Sequence, residues 1–322
     1  MQDKKNFYID GKWVSPIEPR NYKVIDPSNE KPCAEISLGG KKDIDKAVSA
    51  AKKAFETWAF SKKEERLELL EKLYVVYKKR WAEMAKLISL EMGAPMKFST
   101  EMQAATGASH IKSFKNILKD FQFEKDLGEE KNNQKLLYEP KGVCALITPW
   151  NWPINQVNLK VIPALASACT VVLKPSEIAP LSSILLAEMI DEVKFPSGVF
   201  NLVNGDGAIT GDALTSHPDV NMISFTGSTR AGALISQNAA KDFKRISLEL
   251  GGKGANIIFK DADSEAVSRG VLRCFRNSGQ SCNAPTRMLV EKSIYNETVE
   301  KVKELANNTK VDSPDKDGDH IG

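Results

Sequence analysis

The spacing of apolar residues predicts that the chain begins with short strands and continues with amphipathic helices. Strands are expected over residues 7–14 and 22–26. Over residues 43–58 apolar side chains recur every three or four positions, which is typical of a helix with one buried face. Residues 61–64 fit a capping box that begins the next helix. A further helix is expected over 101–121, and two segments around 121–125 and 135–138 could form a hairpin across a polar turn at 128–133.

From residue 142 the pattern changes to a regular alternation of strands and helices. The predicted strands are 143–148, 170–173, 199–203, 222–225 and 245–249, and the helices between them are 155–168, 181–193, 210–215 and 230–240. This alternation predicts an α/β fold with a Rossmann-like, doubly wound parallel sheet. Such sheets bind ligands in the loops after the carboxyl ends of their strands.

Composition narrows the possible functions. The chain has 322 residues, of which 42% are hydrophobic and 27% charged, with a net charge of +3. These values suit an enzyme with a sizeable core, and they give no electrostatic case for binding nucleic acid or a membrane surface. Residues 1–11 lack the apolar segment of a secretory signal. The longest apolar stretch, 161–173, is too short to span a bilayer, and we expect it to be the end of a buried helix running into a buried strand.

Five cysteines occur, at positions 33, 144, 169, 274 and 282. Their odd number and the absence of a Cys-x-x-Cys pair suggest neither a disulfide framework nor a metal site. A reducing, cytoplasmic environment is the natural expectation. We expect four of them to be small buried hydrophobic residues.

Two of the loops after predicted strands carry distinctive polar residues. In the first, Asn151 lies between tryptophans and prolines, where its amide could stabilise a developing oxyanion or simply cap the following helix. The second contains Lys174, Ser176 and Glu177. A carboxylate here could accept from ribose hydroxyls and would repel a 2′-phosphate, which favours NAD over NADP, although a surface turn explains the same residues.

Three later loops offer further candidates. Gly207 and Gly211, and then the segment from Phe225 to Ser228, could bring backbone amides close to a diphosphate, or they could be ordinary turns. Glu249 lies between Leu248 and Leu250 at a strand end. Apolar neighbours would raise its pKa towards that of a general base, whereas a solvent-facing side chain is the alternative.

Cys282 follows a Gly-Gln-Ser turn and is expected to be more accessible than a core thiol. Most intracellular cysteines are structural, and a nucleophilic thiol needs activation by its surroundings. A papain-like hydrolase would pair it with a histidine. The three histidines, His110, His217 and His320, lie on a helix face, before a proline and in a polar tail, and none looks suited to that role.

Taken together and in this order, these segments resemble the aldehyde dehydrogenase family over essentially the whole chain. The segments that carry the resemblance are Pro149-Trp150-Asn151-Trp152-Pro153, Lys174-Pro175-Ser176-Glu177, Gly207 and Gly211 with Leu214 and His217-Pro218, Phe225-Thr226-Gly227-Ser228, Leu248 to Lys253, and Gly279-Gln280-Ser281-Cys282.

The resemblance implies a hydrolytic, NAD-dependent oxidation of an aldehyde to a carboxylic acid. Cys282 would form a thiohemiacetal whose oxyanion is held by the Asn151 side chain and the Cys282 amide, and Glu249 would activate the water that hydrolyses the thioester. Lys160 could relay protons or be structural. By the same resemblance the cofactor-binding residues would be Ile147, Thr148, Pro149, Trp150, Lys174, Ser176, Glu177, Gly207, Gly211, Phe225, Thr226, Gly227, Ser228, Leu250 and Gly251.

The resemblance also implies a domain organisation. Residues 1–121 and 142–250 would form the NAD-binding domain, 122–141 an oligomerisation hairpin, and 251–322 the first part of a catalytic domain. Full-length relatives extend well over a hundred residues further and would form homodimers or homotetramers, so this chain resembles a C-terminally truncated member. The alternative function is therefore a catalytically inactive NAD-binding remnant.

The aldehyde itself is not predicted by the sequence. Five residues are expected to line part of its tunnel: Trp152, Gln156, Leu159, Ser281 and Asn283. No arginine or lysine is identifiable as a clamp for a substrate carboxylate.

Overall fold

The computed structural model describes residues 2–128 and 134–322. Its central element is a seven-stranded, largely parallel sheet. Its strands, in chain order, are β2 (Phe7–Ile9), β3 (Lys12–Val14), β8 (Val143–Ile147), β9 (Thr170–Lys174), β10 (Phe200–Leu202), β11 (Met222–Gly227) and β12 (Arg245–Leu250). The smaller sheets contain β1 (Gln2–Lys4), β4 (Asn21–Asp26) and β5 (Lys31–Ser37), then β6 (Glu124–Asp126) with β7 (Lys135–Leu137), and β13 (Ala255–Ile258) with β14 (Arg287–Val290).

The helices cover both faces of the large sheet. They are α1 (Lys41–Trp58), α2 (Lys63–Lys79), α3 (Trp81–Met92), α4 (Met96–Phe98), α5 (Ala104–Asp120), α6 (Pro153–Ala166), α7 (Leu181–Val193), α8 (Asp212–Ser216), α9 (Thr229–Ala240), α10 (Ala266–Phe275) and α11 (Tyr295–Asn307). Short π-helical turns over Ser99–Gln103 and Gly207–Gly211 precede α5 and α8. No helix of the described residues has the length and apolar character needed to cross a membrane.

The strand order β12-β11-β8-β9-β10-β2-β3 is that of a doubly wound sheet. The five strands from β8 to β12 are mutually parallel, and the chain reverses its direction of winding between β8 and β11. This reversal creates the crevice in which such folds bind ligands. The predicted α/β class is confirmed.

Strand alternation divides the core into two layers, one on each face of the sheet. On β8, Cys144 and Leu146 point into the larger cluster, whereas Val143, Ala145 and Ile147 point into the other. Because both faces are covered, every residue of β8 and β9 is buried. Apolar side chains are therefore found at consecutive positions of these strands, as expected for a buried parallel strand.

Most predicted elements agree with the structure, but the capping box is wrong. Helix α2 begins at Lys63 with Lys62 at the N-cap, and no side chain caps it. Ser61 lies one residue too early, and its buried hydroxyl has no partner among the described residues.

The predicted hairpin is confirmed by the antiparallel pairing of β6 with β7. Residues 129–133 of its predicted turn lie outside the described residues. The exposed apolar side chains near the turn and on the second strand are Leu127, Leu136, Leu137 and Tyr138.

Candidate active site

The register of the sheet brings the predicted cofactor residues to a single edge. Ile147 is paired with Lys174 on one side and with Phe225 on the other. Gly227 is paired with Leu250 on the next strand. Thr148, Pro149 and Trp150 follow directly after β8, Ser176 and Glu177 follow β9, and Gly251 follows β12. Residues far apart in the sequence therefore form one continuous surface.

Lys174 is buried at the middle of this edge, where it hydrogen-bonds to two neighbouring loops. Its Nζ donates to the carbonyls of Pro175, at 2.9 Å, and Gly205, at 2.6 Å, and lies 3.7 Å from a carboxylate oxygen of Glu177. Burial lowers the pKa of Lys174, and the nearby Glu177 and Asp206 oppose that shift. The lysine thus fixes the loops after β9 and β10, while Glu177 remains partly exposed at the rim.

The glycines of the edge differ in what surrounds them. A Cβ added at Gly207 or Gly251 would meet nothing within 4 Å, so these two positions border open space. A Cβ at Gly227 would lie 2.4 Å from the Phe225 ring, so any larger residue there would displace that ring. A Cβ at Gly211 would lie 3.9 Å from Cδ of Lys174, which places this glycine beside the centre of the edge.

The start of α9 completes the edge. The Ser228 hydroxyl caps the helix by accepting from the amide of Ala231 at 3.2 Å, while the other amides of the first turn remain suited to an anion. The Thr226 hydroxyl is buried without a partner among the described residues. These features fit a ligand that carries ribose and diphosphate groups.

Cys282 is exposed, unlike the other four cysteines. Cys144 and Cys169 are buried as predicted, but Cys33 and Cys274 are only partly buried. The expectation of four buried thiols is therefore wrong for these two; Cys33 packs at the margin of the larger core cluster, and Cys274 lies outside both core clusters.

A strained turn presents Cys282. Asn277, Ser278 and Gly279 have consecutive φ values of 57°, 55° and 72°, in the left-handed region that non-glycine residues rarely adopt. The turn brings the Gln280 carbonyl to the Asn151 side chain, whose Nδ2 donates to it at 2.8 Å. Such strain persists only where surrounding contacts maintain it.

Two buried amides maintain the turn. The Asn277 Nδ2 donates to the carbonyls of Asn151, at 2.9 Å, and Gln280, at 3.0 Å. Gln103, in the π-helical turn before α5, donates to Oδ1 of Asn277 at 3.0 Å. Nothing in the sequence pattern indicates a role for Gln103 or Asn277. Their signal is weak, because an isolated amide gives no indication of its partner.

Asn151 does not cap α6. The N-cap is Trp152, and no side chain caps that helix. Among the described residues the Gln280 carbonyl is the only acceptor for Nδ2 of Asn151, which leaves its second N–H available. The Cys282 amide likewise has no acceptor among the described residues. The Asn151 side chain, which contacts the cysteine loop, and the Cys282 backbone therefore each have an N–H without an acceptor among the described residues.

Glu249 is exposed, which contradicts the expected apolar enclosure. Alternation along β12 turns Leu248 and Leu250 to the opposite face, where they pack against the core. A Cβ added at Gly252, three residues further on, would lie 3.1 Å from the Cys282 carbonyl oxygen. The chain after β12 therefore passes against the cysteine loop.

Lys160 is buried on α6, and its Nζ donates to the Ser224 hydroxyl at 3.0 Å. Burial lowers the pKa of Lys160 to about 8, and the charge of Glu249 opposes this shift. An amine with this pKa can exchange protons near neutral pH.

The arrangement defines a class of protein, namely a doubly wound sheet with a nucleotide-compatible edge and an accessible cysteine beside free amide donors. Comparison with known proteins then shows the family. The model of the aldehyde dehydrogenase family matches residues 13–322. The chain belongs to the aldehyde dehydrogenase family.

Individual relatives agree. A 3-succinoylsemialdehyde-pyridine dehydrogenase from a Pseudomonas species is 52% identical over 92% of this chain and 62% of its own length. The crystal structure of an aldehyde dehydrogenase from Bartonella henselae is 57% identical, with a TM-score of 0.99 over 100% of this chain and 68% of that one. Aldehyde dehydrogenase C of Pseudomonas syringae, crystallised as a mutant with NAD+ and octanal, is 44% identical, with a TM-score of 0.94 over 96% and 63%. This chain thus spans about two thirds of the length of its relatives.

Proposed function

We propose that this chain is an NAD-dependent aldehyde dehydrogenase in which Cys282 is the nucleophile. The observation that carries the proposal is the hydrogen bond from the Asn151 side-chain amide to the Gln280 carbonyl, because it ties this amide to the loop that contains the most exposed thiol.

NAD+ would lie along the carboxyl edge of the sheet and supply the hydride acceptor. Lys174, Ser176 and Glu177 would hold the adenosine side, and Ser228 with the first turn of α9 would face the diphosphate. Glu177 accepts hydrogen bonds but repels a 2′-phosphate, which favours NAD over NADP. The NAD+ complex of the Pseudomonas syringae enzyme supports this assignment.

The Cys282 thiolate would attack the aldehyde carbon. The free N–H of Asn151 and the Cys282 amide would then stabilise the oxyanion of the thiohemiacetal. Loss of hydride leaves a thioester on Cys282. Because both donors are positioned before substrate arrives, their stabilisation needs little rearrangement in the transition state.

Glu249 would activate the water that hydrolyses the thioester, and its exposure lets water reach it. Lys160 would move protons between this carboxylate and the interior. The supporting feature is the electrostatic influence of Glu249 on Lys160 across β11.

Assembly and location complete the proposal. The exposed apolar residues near the β6–β7 hairpin would contact a second subunit in a homodimer or homotetramer. A cytoplasmic location remains the prediction from the cysteine content.

NADH formation from simple aldehydes tests the mechanism. Cys282→Ala should abolish turnover, Glu249→Gln should slow thioester hydrolysis, and Asn151→Ala should cost roughly 10²–10³ in rate. Cys33→Ala, which removes a partly buried thiol outside the site, is the matched control and should leave turnover unchanged.

Unchanged turnover in Cys282→Ala would refute the mechanism. NAD+ binding by calorimetry without any NADH formation by the wild-type chain would instead identify an inactive cofactor-binding fragment.

A further inference from the structure

An ion pair lies at the start of the π-helical turn Gly207–Gly211. The Asp206 side chain caps this turn by accepting from the amides of Ile209, at 2.7 Å, and Thr210, at 3.4 Å. The second carboxylate oxygen of Asp206 accepts from Nη1 of Arg20 at 2.7 Å. Arg20 comes just before β4, 186 positions earlier in the sequence. One carboxylate therefore joins the turn to the N-terminal part of the chain.

Arg20 connects the turn to a further segment. Its Nη2 donates to the carbonyl of Gly39 at 2.7 Å, and the Thr210 hydroxyl donates to the same carbonyl. The Gly39 amide donates to the carbonyl of Asn204 at 2.8 Å. The guanidinium thus links the segment between β5 and α1 both to the loop after β10 and to the π-helical turn.

Packing around Gly205 restricts the loop before the turn. A Cβ added at Gly205 would lie 2.0 Å from Oγ1 of Thr210, so these two residues are in direct contact. Nζ of Lys174 donates to the Gly205 carbonyl at 2.6 Å. Gly207, in contrast, borders open space, because a Cβ there would meet nothing within 4 Å. The turn is therefore fixed by its interior contacts and exposed at the edge where a cofactor would bind.

Arg20 also neutralises a charge at this edge. Burial opposes ionisation of Asp206, but the hydrogen bonds from the Ile209 amide and from Arg20 lower its pKa, so it is a carboxylate at neutral pH. The charge of Asp206 reaches Lys174, at the centre of the edge. NAD+ contains an anionic diphosphate, which an unpaired carboxylate nearby would repel. Pairing with Arg20 reduces this repulsion.

We propose that Arg20 is a positioning residue for NAD+, which fixes the π-helical turn at the carboxyl edge and neutralises Asp206. This inference rests on the proposed position of NAD+ along that edge. Arg20 acts through Asp206 and Gly39. A turn that is ordered before the cofactor arrives lowers the ordering cost of binding. Loss of Arg20 should therefore weaken NAD+ binding and leave the chemistry at Cys282 as it is.

Calorimetric titration with NAD+ tests this role without requiring turnover. Arg20→Leu should raise the Kd for NAD+ about tenfold, the size expected when hydrogen bonds to a charged group are lost. Arg20→Lys should raise it only about threefold, because it keeps the charge but lacks the planar fork that reaches both acceptors. Adding Asp206→Asn to Arg20→Leu should recover part of the affinity, because it removes the unpaired carboxylate.

Arg80→Leu is the matched control. Arg80 is partly exposed like Arg20, and it also pairs with carboxylates, those of Glu83 and Glu188, each at 2.7 Å, but it lies between α2 and α3, away from the edge. Its loss should leave the Kd unchanged. An unchanged Kd in Arg20→Leu would overturn the proposal, and an equal rise in Arg80→Leu would show general destabilisation instead of positioning.

Steady-state kinetics give a second readout. Arg20→Leu should raise the KM for NAD+ and leave kcat and the KM for the aldehyde near their wild-type values. An equal loss in kcat would contradict a role confined to the cofactor.

Amide hydrogen exchange separates this inference from the proposed function. Exchange over residues 207–212 should be about tenfold faster in Arg20→Leu and unchanged in Arg80→Leu. A wild-type chain that does not bind NAD+ would contradict the proposed function, and the exchange rates would then still decide whether Arg20 fixes the turn. Wild-type exchange in Arg20→Leu would overturn the inference.

Discussion

The parallel sheet formed by β8 to β12 and the unit formed by residues 255–322 are both rich in apolar strand residues, yet they differ sharply in burial. Every residue of β8 and β9 is buried. In contrast β13 and β14 form a two-stranded sheet, and Ile257, Phe259 and Leu289 at or beside it are each at least half exposed. A local pattern thus specifies a strand, whereas the number of neighbouring layers decides whether its apolar side chains leave water.

The two regions should therefore differ in local stability. A two-stranded sheet by itself is marginally stable. The later unit is joined to the first region at the turn of residues 277–283, where Gln103, Asn277 and Asn151 form a hydrogen-bond network. Its order should therefore depend on this network more than on its own core.

The largest expected effect is a loss of core packing in the first region. Leu173→Ala on β9, where Leu173 is fully buried, should lower the free energy of unfolding by about 3–5 kcal/mol, because it removes buried methyl groups and leaves a cavity. Leu289→Ala on β14 is the matched control and should cost less than about 1 kcal/mol. Urea denaturation measures both, and equal losses would remove the distinction between the regions.

A pH dependence should come next in size and should also arise in the first region. Glu91 on α3 is buried, and its carboxylate accepts from the amides of Leu181 and Ser182 at the start of α7. Burial raises the pKa of Glu91 from 4.5 to about 7. Between these values the folded state binds more protons than the unfolded state, so stability should fall as pH rises from about 4.5 to 7, by about 3 kcal/mol.

Glu91→Gln should flatten this pH dependence, whatever its effect on absolute stability. Glu304→Gln, at an exposed position on α11, is the control and should leave the dependence as in the wild type. Unfolding free energies measured across this pH range decide the matter, and a wild-type slope in Glu91→Gln would argue against a titrating carboxyl at this position.

The smallest of the three effects should appear at the turn of residues 277–283, which connects the two regions. Asn277→Ala removes two donated hydrogen bonds and one accepted bond at a residue with φ of 57°. We expect a local loss of about 1–2 kcal/mol, seen as roughly tenfold faster amide hydrogen exchange in β13 and β14. Exchange in β8 and β9 should stay unchanged, and faster exchange there as well would show that Asn277 supports the whole fold.

Much of the fold could be predicted from the sequence, because its elements depend on local periodicity. The helix at residues 181–193 was predicted with the bounds that the structure has. The position of the candidate site in the loops after the strands could also be predicted, because the carboxyl ends of parallel strands lie at one edge of the sheet. The predicted capping box at residues 61–64 was wrong, because the helix begins at Lys63 and its N-cap is Lys62 instead of Ser61. The prediction that apolar neighbours enclose Glu249 was wrong, because side chains alternate along the strand and Leu248 and Leu250 lie on the opposite face.

The sequence by itself determined most of the strands and helices up to residue 249, the loops at the carboxyl edge and the choice of Cys282 as the candidate nucleophile. Only the tertiary structure decided that Asn151 meets Gln280 and that Gln103 and Asn277 support the strained turn. The reason is physical. Periodicity reports how a residue sits on its own element, whereas contacts between residues more than a hundred positions apart depend on how the elements pack.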